Sequence, residues 1–234
     1  MKIVTNNKII KRNSRIGSYS MIISLVILAG GFIISLGTDP NAFPIALLAL
    51  VVGFTLSQVG IYFGNRFGRD ISPDKAVSDA LKGLDNNYTL YNFTSPVGHL
   101  LIGPAGIWAI LPYFQKGKII FDKDKGRWKQ KGGNWYLKIF GQEGLGRCDL
   151  DVAADIKEIK KFLKKEVQLE QDLDVQAALL FYNDKVEVEA LEAPYPTVKG
   201  DKLKDVIRRN QKAVALDPAI VQAIAAKLPS ESID

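Results

Sequence analysis

The chain has 234 residues, of which 47% are apolar and 24% charged, with a formal net charge of +6. That length allows one ordinary domain plus an extra segment, and a charge this modest is no evidence of nucleic-acid binding by itself. The single cysteine, Cys148, excludes an internal disulfide and suits a reducing compartment.

Residues 1–17 read as a basic cytoplasmic lead, expected to be disordered over most of its length. It carries Lys2, Lys8, Lys11, Arg12 and Arg15 and no acid. Two charge-free runs follow, Ile16–Thr38 and Pro40–Asn65, separated only by Asp39. Each exceeds the roughly 20 residues that cross a bilayer as a helix. Both are apolar on every face, which argues against two buried helices of a soluble protein. A cleaved signal peptide is disfavoured, because the apolar part is too long, no clear cleavage site follows and a second span comes at once. Residues 18–66 are therefore expected to hold two transmembrane helices, at about 19–36 and 43–63. Arg66 and Arg69 follow the second span, whereas the connection Gly37–Phe43 has no base. The positive-inside rule then sets both termini in the cytoplasm, as a multi-pass protein of the inner membrane. Gly60 and Gly64, with Gly68 one step on, have a spacing that suits close helix packing. Ordinary glycine frequency in membrane helices accounts for it equally well.

Residues 67–73 read as a linker, with Ser72 and Pro73 suited to start a helix. Ala76, Val77, Ala80, Leu81 and Leu84 recur at helical spacing. Tyr88–Phe93 alternates as a strand. Gly98–Tyr113 reads as a buried strand, a turn at Gly103-Pro104-Ala105-Gly106, and a second buried strand. Lys118–Phe121 and Arg127–Lys131 are further strands, and Gly132-Gly133-Asn134 turns the chain into Trp135–Phe140. An amphipathic helix is expected over Asp149–Lys165, strands over Val175–Phe181 and Val186–Leu191, and helices from Leu203 and from Pro218. This order predicts an α/β class with a mixed sheet flanked by helices, preceded by a transmembrane α-helical hairpin.

The Gly98–Tyr113 run resembles the core β-hairpin of the NERD (nuclease-related) domain, a branch of the restriction-endonuclease-like superfamily. The family pattern is Asp-His, three apolar residues, Gly-Pro-x-Gly, four apolar residues, then Glu-x-Lys. His99, Gly103-Pro104-Ala105-Gly106 and Ile107–Ile110 match it without a gap, and Lys116-Gly117-Lys118-Ile119 resembles its continuation. The likeness covers residues 74–210, specifically in the hairpin and by topology elsewhere. It leaves 211–234 as a C-terminal helix and tail. It implies a restriction-endonuclease-like fold and metal-dependent phosphodiester hydrolysis. In that chemistry the Asp and Glu converge on a divalent cation, and the Lys helps place water or offsets developing charge.

The departures fall on the chemical positions, which hold Gly98, Leu111 and Tyr113. None supplies a carboxylate or an ammonium, so no catalytic residue, metal or cofactor is expected. Asp74 aligns with an acidic residue of the family's first helix, yet it also suits a helix's first turn. His99 is the only histidine, lies in an apolar strand and is expected to be structural. A basic set comprising Lys116, Lys118, Lys123, Lys125, Arg127, Trp128, Lys129 and Lys131 is the candidate contact surface. Basic residues interleaved with aromatics can grip nucleic acid or anionic headgroups, and an ordinary solvated hairpin is the third reading. The expected function is a membrane-anchored, catalytically inactive binding or scaffolding module. Its partners would be the lipid bilayer and either nucleic acid, weakly held, or a protein, with a homo-oligomer open. Two alternatives stay open: a membrane-tethered nuclease with ligands rearranged onto Asp74, Glu143 or Asp149, and a structural membrane-assembly protein.

Overall fold

The computed structural model describes residues 1–37, 42–169, 171, 173–213 and 215–234, the side chains of 212 and 213 apart. Most of the connection expected at Gly37–Phe43 lies outside the described residues. The chain divides into two compact units. One comprises Lys8–Ser72 with Phe140–Gln142, the other Met1–Asn7, Pro73–Ile139 and Glu143–Asp234.

The first unit is a helical hairpin of α1 (Asn7–Ser35) and α2 (Ala42–Phe67). Both helices are long and apolar enough to cross a membrane. Helix α1 starts well before the expected residue 19, so Lys8, Lys11, Arg12 and Arg15 lie on its first turns. The buried residues of α1 are Gly17, Ser24 and Gly31, one heptad apart, and Gly53, Gly60 and Phe67 repeat that period on α2. A seven-residue repeat keeps one seam of each helix facing its neighbour. Small residues there let the backbones approach, because a Cβ on Gly31 would come within 2.5 Å of Ala49 Cβ. One on Gly53 would come within 2.6 Å of Leu28 Cγ. Gly60 and Gly64 also lie at this close approach: a Cβ on Gly60 would come within 3.0 Å of Met21 N, and one on Gly17 within 3.0 Å of Gly64 N. Outside the seam, Tyr19, Leu25, Phe32, Phe43 and Leu48 are exposed.

The second unit contains nine strands among the described residues. These are β1 (Lys2–Thr5), β2 (Thr89–Asn92), β3 (His99–Gly103), β4 (Gly106–Tyr113), β5 (Gly117–Asp122), β6 (Arg127–Lys131), β7 (Val175–Phe181), β8 (Val186–Glu189) and β9 (Thr197–Lys199). Its helices are α3 (Pro73–Ala80), α4 (Trp135–Ile139), α5 (Cys148–Lys165), α6 (Leu203–Ala213) and α7 (Pro218–Ala225). A six-stranded sheet has the order β1-β2-β3-β4-β7-β9, and a three-stranded sheet the order β6-β5-β8. Strands β2, β3 and β4 form an antiparallel meander. Strand β1 runs parallel to β2, while β7 runs parallel to both β4 and β9.

Strand alternation sorts β4 between two cores. Trp108 and Ile110 pack with Val77 of α3, Leu81 just after it, and Leu203 and Ile207 of α6. Ile107, Ala109 and Leu111 pack with Val152, Ile159 and Leu163 of α5 and with Ile119 and Trp128 of the small sheet. The β3–β4 turn is tight, with Gly103 paired to Gly106. Gly106 has φ +102°, and a Cβ on Gly103 would collide with the Tyr88 ring. Both glycines are thus required by geometry, one by a left-handed backbone and one by close approach.

Two boundary expectations need correction. The lead expected to be disordered is strand β1, which buries Val4 to 1% exposure and pairs with Thr89–Asn92. The stretch 211–234 is also part of the unit. Ile224 of α7 is buried at 1% exposure, and Ile233 N donates to Thr5 O at 2.9 Å. The domain therefore extends beyond 74–210 at both ends. Its edge strand comes from residues that precede the helical hairpin in sequence.

Candidate functional site

The chemical positions of the resembling motif lie at the open end of the β3–β4 hairpin. The register pairs Leu100 with Ala109 and Leu101 with Trp108. Gly98 immediately precedes β3, and Leu111 lies two residues beyond Ala109 on β4. Gly98 offers no side-chain ligand atom, and Leu111 is only 7% exposed within the core. Tyr113 stacks on Phe181, with ring centroids 5.3 Å apart and planes at 20°. Its hydroxyl donates to Asp151 Oδ2 at 3.0 Å. Burial raises the phenol pKa above its ordinary value, and nearby Cys148 and Asp151 push the same way. At neutral pH Tyr113 is a hydrogen-bond donor, not a base.

Cys148 opens α5, is buried, and lies with its sulfur 3.8 Å from Leu145 O. Burial pushes its thiol up to about 12. A neutral, enclosed thiol is a poor nucleophile and a poor metal ligand. Beside it, Arg147 holds Asp149 through both carboxylate oxygens, at 3.0 and 2.6 Å. That contact lowers the Asp149 pKa and raises that of Arg147.

The acids of the rearranged-nuclease alternative lie on different segments of the fold. Asp74 lies in the first turn of α3, and Glu143 is 3.7 Å from Lys116. Asp149 is occupied by Arg147. Among the described residues, no three His, Cys, Asp or Glu side chains lie close enough together to hold a metal ion. His99 serves the core: it is 3% exposed, with Nδ1 2.9 Å from Asn92 Oδ1. Asn92 Nδ2 in turn donates to Ser78 Oγ at 3.2 Å. This buried chain ties β3, β2 and α3 together and satisfies groups that would otherwise be costly to bury.

The basic set is divided by its surroundings. Strands β5 and β6 form an antiparallel hairpin whose other neighbour is the acidic strand β8. Lys118 pairs with Glu189 at 2.6 Å, Lys123 with Glu192 at 2.5 Å, and Lys129 with Asp122. The Lys129 contact holds the Asp122 carboxyl below the usual range. With Lys116 beside Glu143, four of the lysines already have acidic partners. Lys125, Arg127 and Lys131 form no ion pair among the described residues. Trp128 requires a correction as a stacking residue. It is 5% exposed, its Nε1 donates to Thr197 Oγ1 at 2.8 Å, and Phe121 packs edge-on against it at 5.0 Å. Bases cannot stack on a ring enclosed in this way.

The residues around Tyr113 that sequence reasoning missed are Asp151 and Phe181, both distant from it along the chain. The acidic partners of the lysines had a visible signal, because Glu187 and Glu189 alternate with Val186 and Val188 on a strand of opposite charge. No protein-family model, curated protein or solved structure matches the chain in comparison with known proteins.

Proposed function

We propose that this chain is a membrane-anchored, cytoplasmic NERD-like domain that binds or scaffolds without cutting. The observation that carries this reading is the content of the hairpin's open end. The two positions that the resemblance would have supply carboxylates hold Gly98, just before β3, and a core leucine, Leu111, in β4. Hydrolysis of a phosphodiester needs a cation to offset phosphoryl charge, and no oxygen ligand stands at either position. The restriction-endonuclease-like assignment rests on the hairpin motif and on its place at the centre of a mixed sheet.

The membrane reading is supported by the uncovered helices. Their apolar side chains outside the seam are exposed, and leaving that much contiguous apolar surface in water is unfavourable. Lipid is the solvent that suits it. Chain connectivity supports the topology. Met1–Asn7 and the residues from Pro73 onward share one compact unit, which agrees with α1 leaving and α2 returning on one side of the bilayer. The basic residues Lys8, Lys11, Arg12, Arg15, Arg66 and Arg69 support taking that side as the cytoplasmic face of the inner membrane.

Protein binding fits the surface better than a nucleic-acid grip, because Trp128 is enclosed and four lysines are ion-paired. The test uses the full-length protein in lipid nanodiscs, titrated with single- and double-stranded DNA over a range of salt. Absent or weak, non-cutting binding supports the module. Tight, strongly salt-dependent binding would make nucleic acid its ligand. Cutting would return the nuclease alternative.

A further inference from the structure

Helix α4 is short, and its residues conflict with an aqueous surface. Trp135 is 69% exposed, Ile139 62% and Tyr136 55%, and Phe140 next in sequence is 38% exposed. The sequence builds this element deliberately. Gly132 and Gly133 have φ +75° and +83°, which turn the chain out of β6. Asn134 then receives the helix start, its Oδ1 accepting from Tyr136 N at 2.9 Å and its carbonyl from Lys138 N at 3.1 Å. None of the three largest side chains is directed into either hydrophobic core.

The chain next to α4 belongs to the membrane hairpin. Phe140–Gln142 is part of the helical unit. There Asn65 Nδ2 donates to Gly141 O at 2.9 Å. Gln142 Nε2 lies 3.1 Å from Gln58 O and 3.0 Å from Gln58 Oε1, donating to both. Gln58 precedes the end of α2 by nine residues, which is about 13 Å along a helix. The segment after α4 is thus anchored on α2 at a height where that helix is already apolar. A six-residue stretch of Trp, Tyr, Leu, Lys, Ile and Phe adjoins it directly. Tryptophan and tyrosine favour the boundary between headgroups and acyl chains. The single cation, Lys138, suits anionic headgroups there.

We infer that Trp135–Phe140 is a third membrane-contacting segment, inserted into the cytoplasmic headgroup–acyl boundary. The inference rests on the membrane reading of α1 and α2. It makes the soluble domain a surface-bound one, held to the bilayer at a second point as well as through its helices.

Trp135 makes the test direct, because the other two tryptophans, Trp108 and Trp128, are buried at 1% and 5% exposure. Full-length protein and its Trp135→Phe variant are reconstituted in vesicles of phosphatidylcholine and phosphatidylglycerol, with or without chain-brominated phosphatidylcholine. Integration is read separately, by resistance to alkaline carbonate extraction. The inference expects carbonate-resistant protein whose emission is quenched by brominated lipid, with most of that quenching lost in Trp135→Phe. Carbonate-resistant protein quenched at Trp135 by aqueous acrylamide and not by bromolipid overturns the inference and leaves the anchor intact. A Trp135 shielded from both quenchers overturns it in favour of a protein contact. Full extraction by carbonate overturns the membrane reading and this inference together.

Discussion

The Tyr113 hydroxyl donates to Asp151 Oδ2 across 3.0 Å, joining the end of β4 to the first turn of α5. At the position where the resembling family carries a lysine, this chain has a fastening between a strand and a helix. Tyr113→Phe should keep the stack on Phe181 and lose the hydrogen bond, costing about 1 kcal/mol of stability. Denaturant unfolding of the full-length protein in detergent checks the value. DNA binding should not change.

Cys148 and Tyr113 give the fold an alkaline limit. The thiol is raised from 9.0 to about 12 in the folded state, and the phenol is raised as well, mainly by burial. Both groups are held neutral, so their contribution is fully present below pH 9 and is lost as pH climbs from 9 toward 12. The thermal midpoint should fall over that interval, and Cys148→Ala should shrink the fall. Native Cys148 should resist a thiol reagent at pH 8 and react fully in denaturant.

The helical seam discriminates between neighbouring glycines. Gly31→Leu must displace Ala49, whereas a Cβ on Gly30 meets nothing within 4 Å. Gly31→Leu should cost on the order of 1–3 kcal/mol and splay the hairpin, and Gly30→Leu should be tolerated. Protease sensitivity and the unfolding midpoint in detergent distinguish the two.

Strand β1 should matter to the whole sheet. Val4→Ala removes two buried methyl groups and should cost about 2 kcal/mol. A disordered lead would show no change. Hydrogen exchange at Leu90 and Asn92, on the partner strand, is the readout.

DNA affinity should have a shallow salt dependence. With only Lys125, Arg127 and Lys131 outside ion pairs in the basic set, the slope of log affinity against log salt should be no steeper than about −3. A fluorescence titration in nanodiscs measures it.

The legible parts of the fold were those whose pattern is local. The β3–β4 hairpin declares itself through its apolar runs and the Gly103–Gly106 turn, and α5 through its apolar stripe ending in lysines. Strand β1 was not legible, because its four residues include Lys2 and Thr5 and its partner β2 lies beyond the whole helical hairpin. The full heptad seam of that hairpin was not legible for a related reason. A glycine's contacts depend on which face the partner helix covers, and Gly60-x-x-x-Gly64 looks alike on either face. At the site, the missing carboxylates were legible only through the family resemblance, which sets the chemical positions at Gly98, Leu111 and Tyr113. The enclosure of Trp128 was readable too, since Arg127, Lys129 and Lys131 occupy the alternate face of β6. Reading the tryptophan with its charged neighbours concealed this. The Tyr113–Asp151 contact had no local signal, because it joins elements separated by two further strands and a helix.

The central claim is that the hairpin's open end cannot support metal-dependent cutting, and a cleavage assay tests it most directly. Full-length protein in nanodiscs is incubated with Mg²⁺ or Mn²⁺ and labelled single- and double-stranded DNA, beside Asp74→Ala and Glu143→Gln variants. The account predicts no cleavage above the protein-free control for any of the three. Metal-dependent cutting by the unaltered chain that disappears in Asp74→Ala or Glu143→Gln would contradict it.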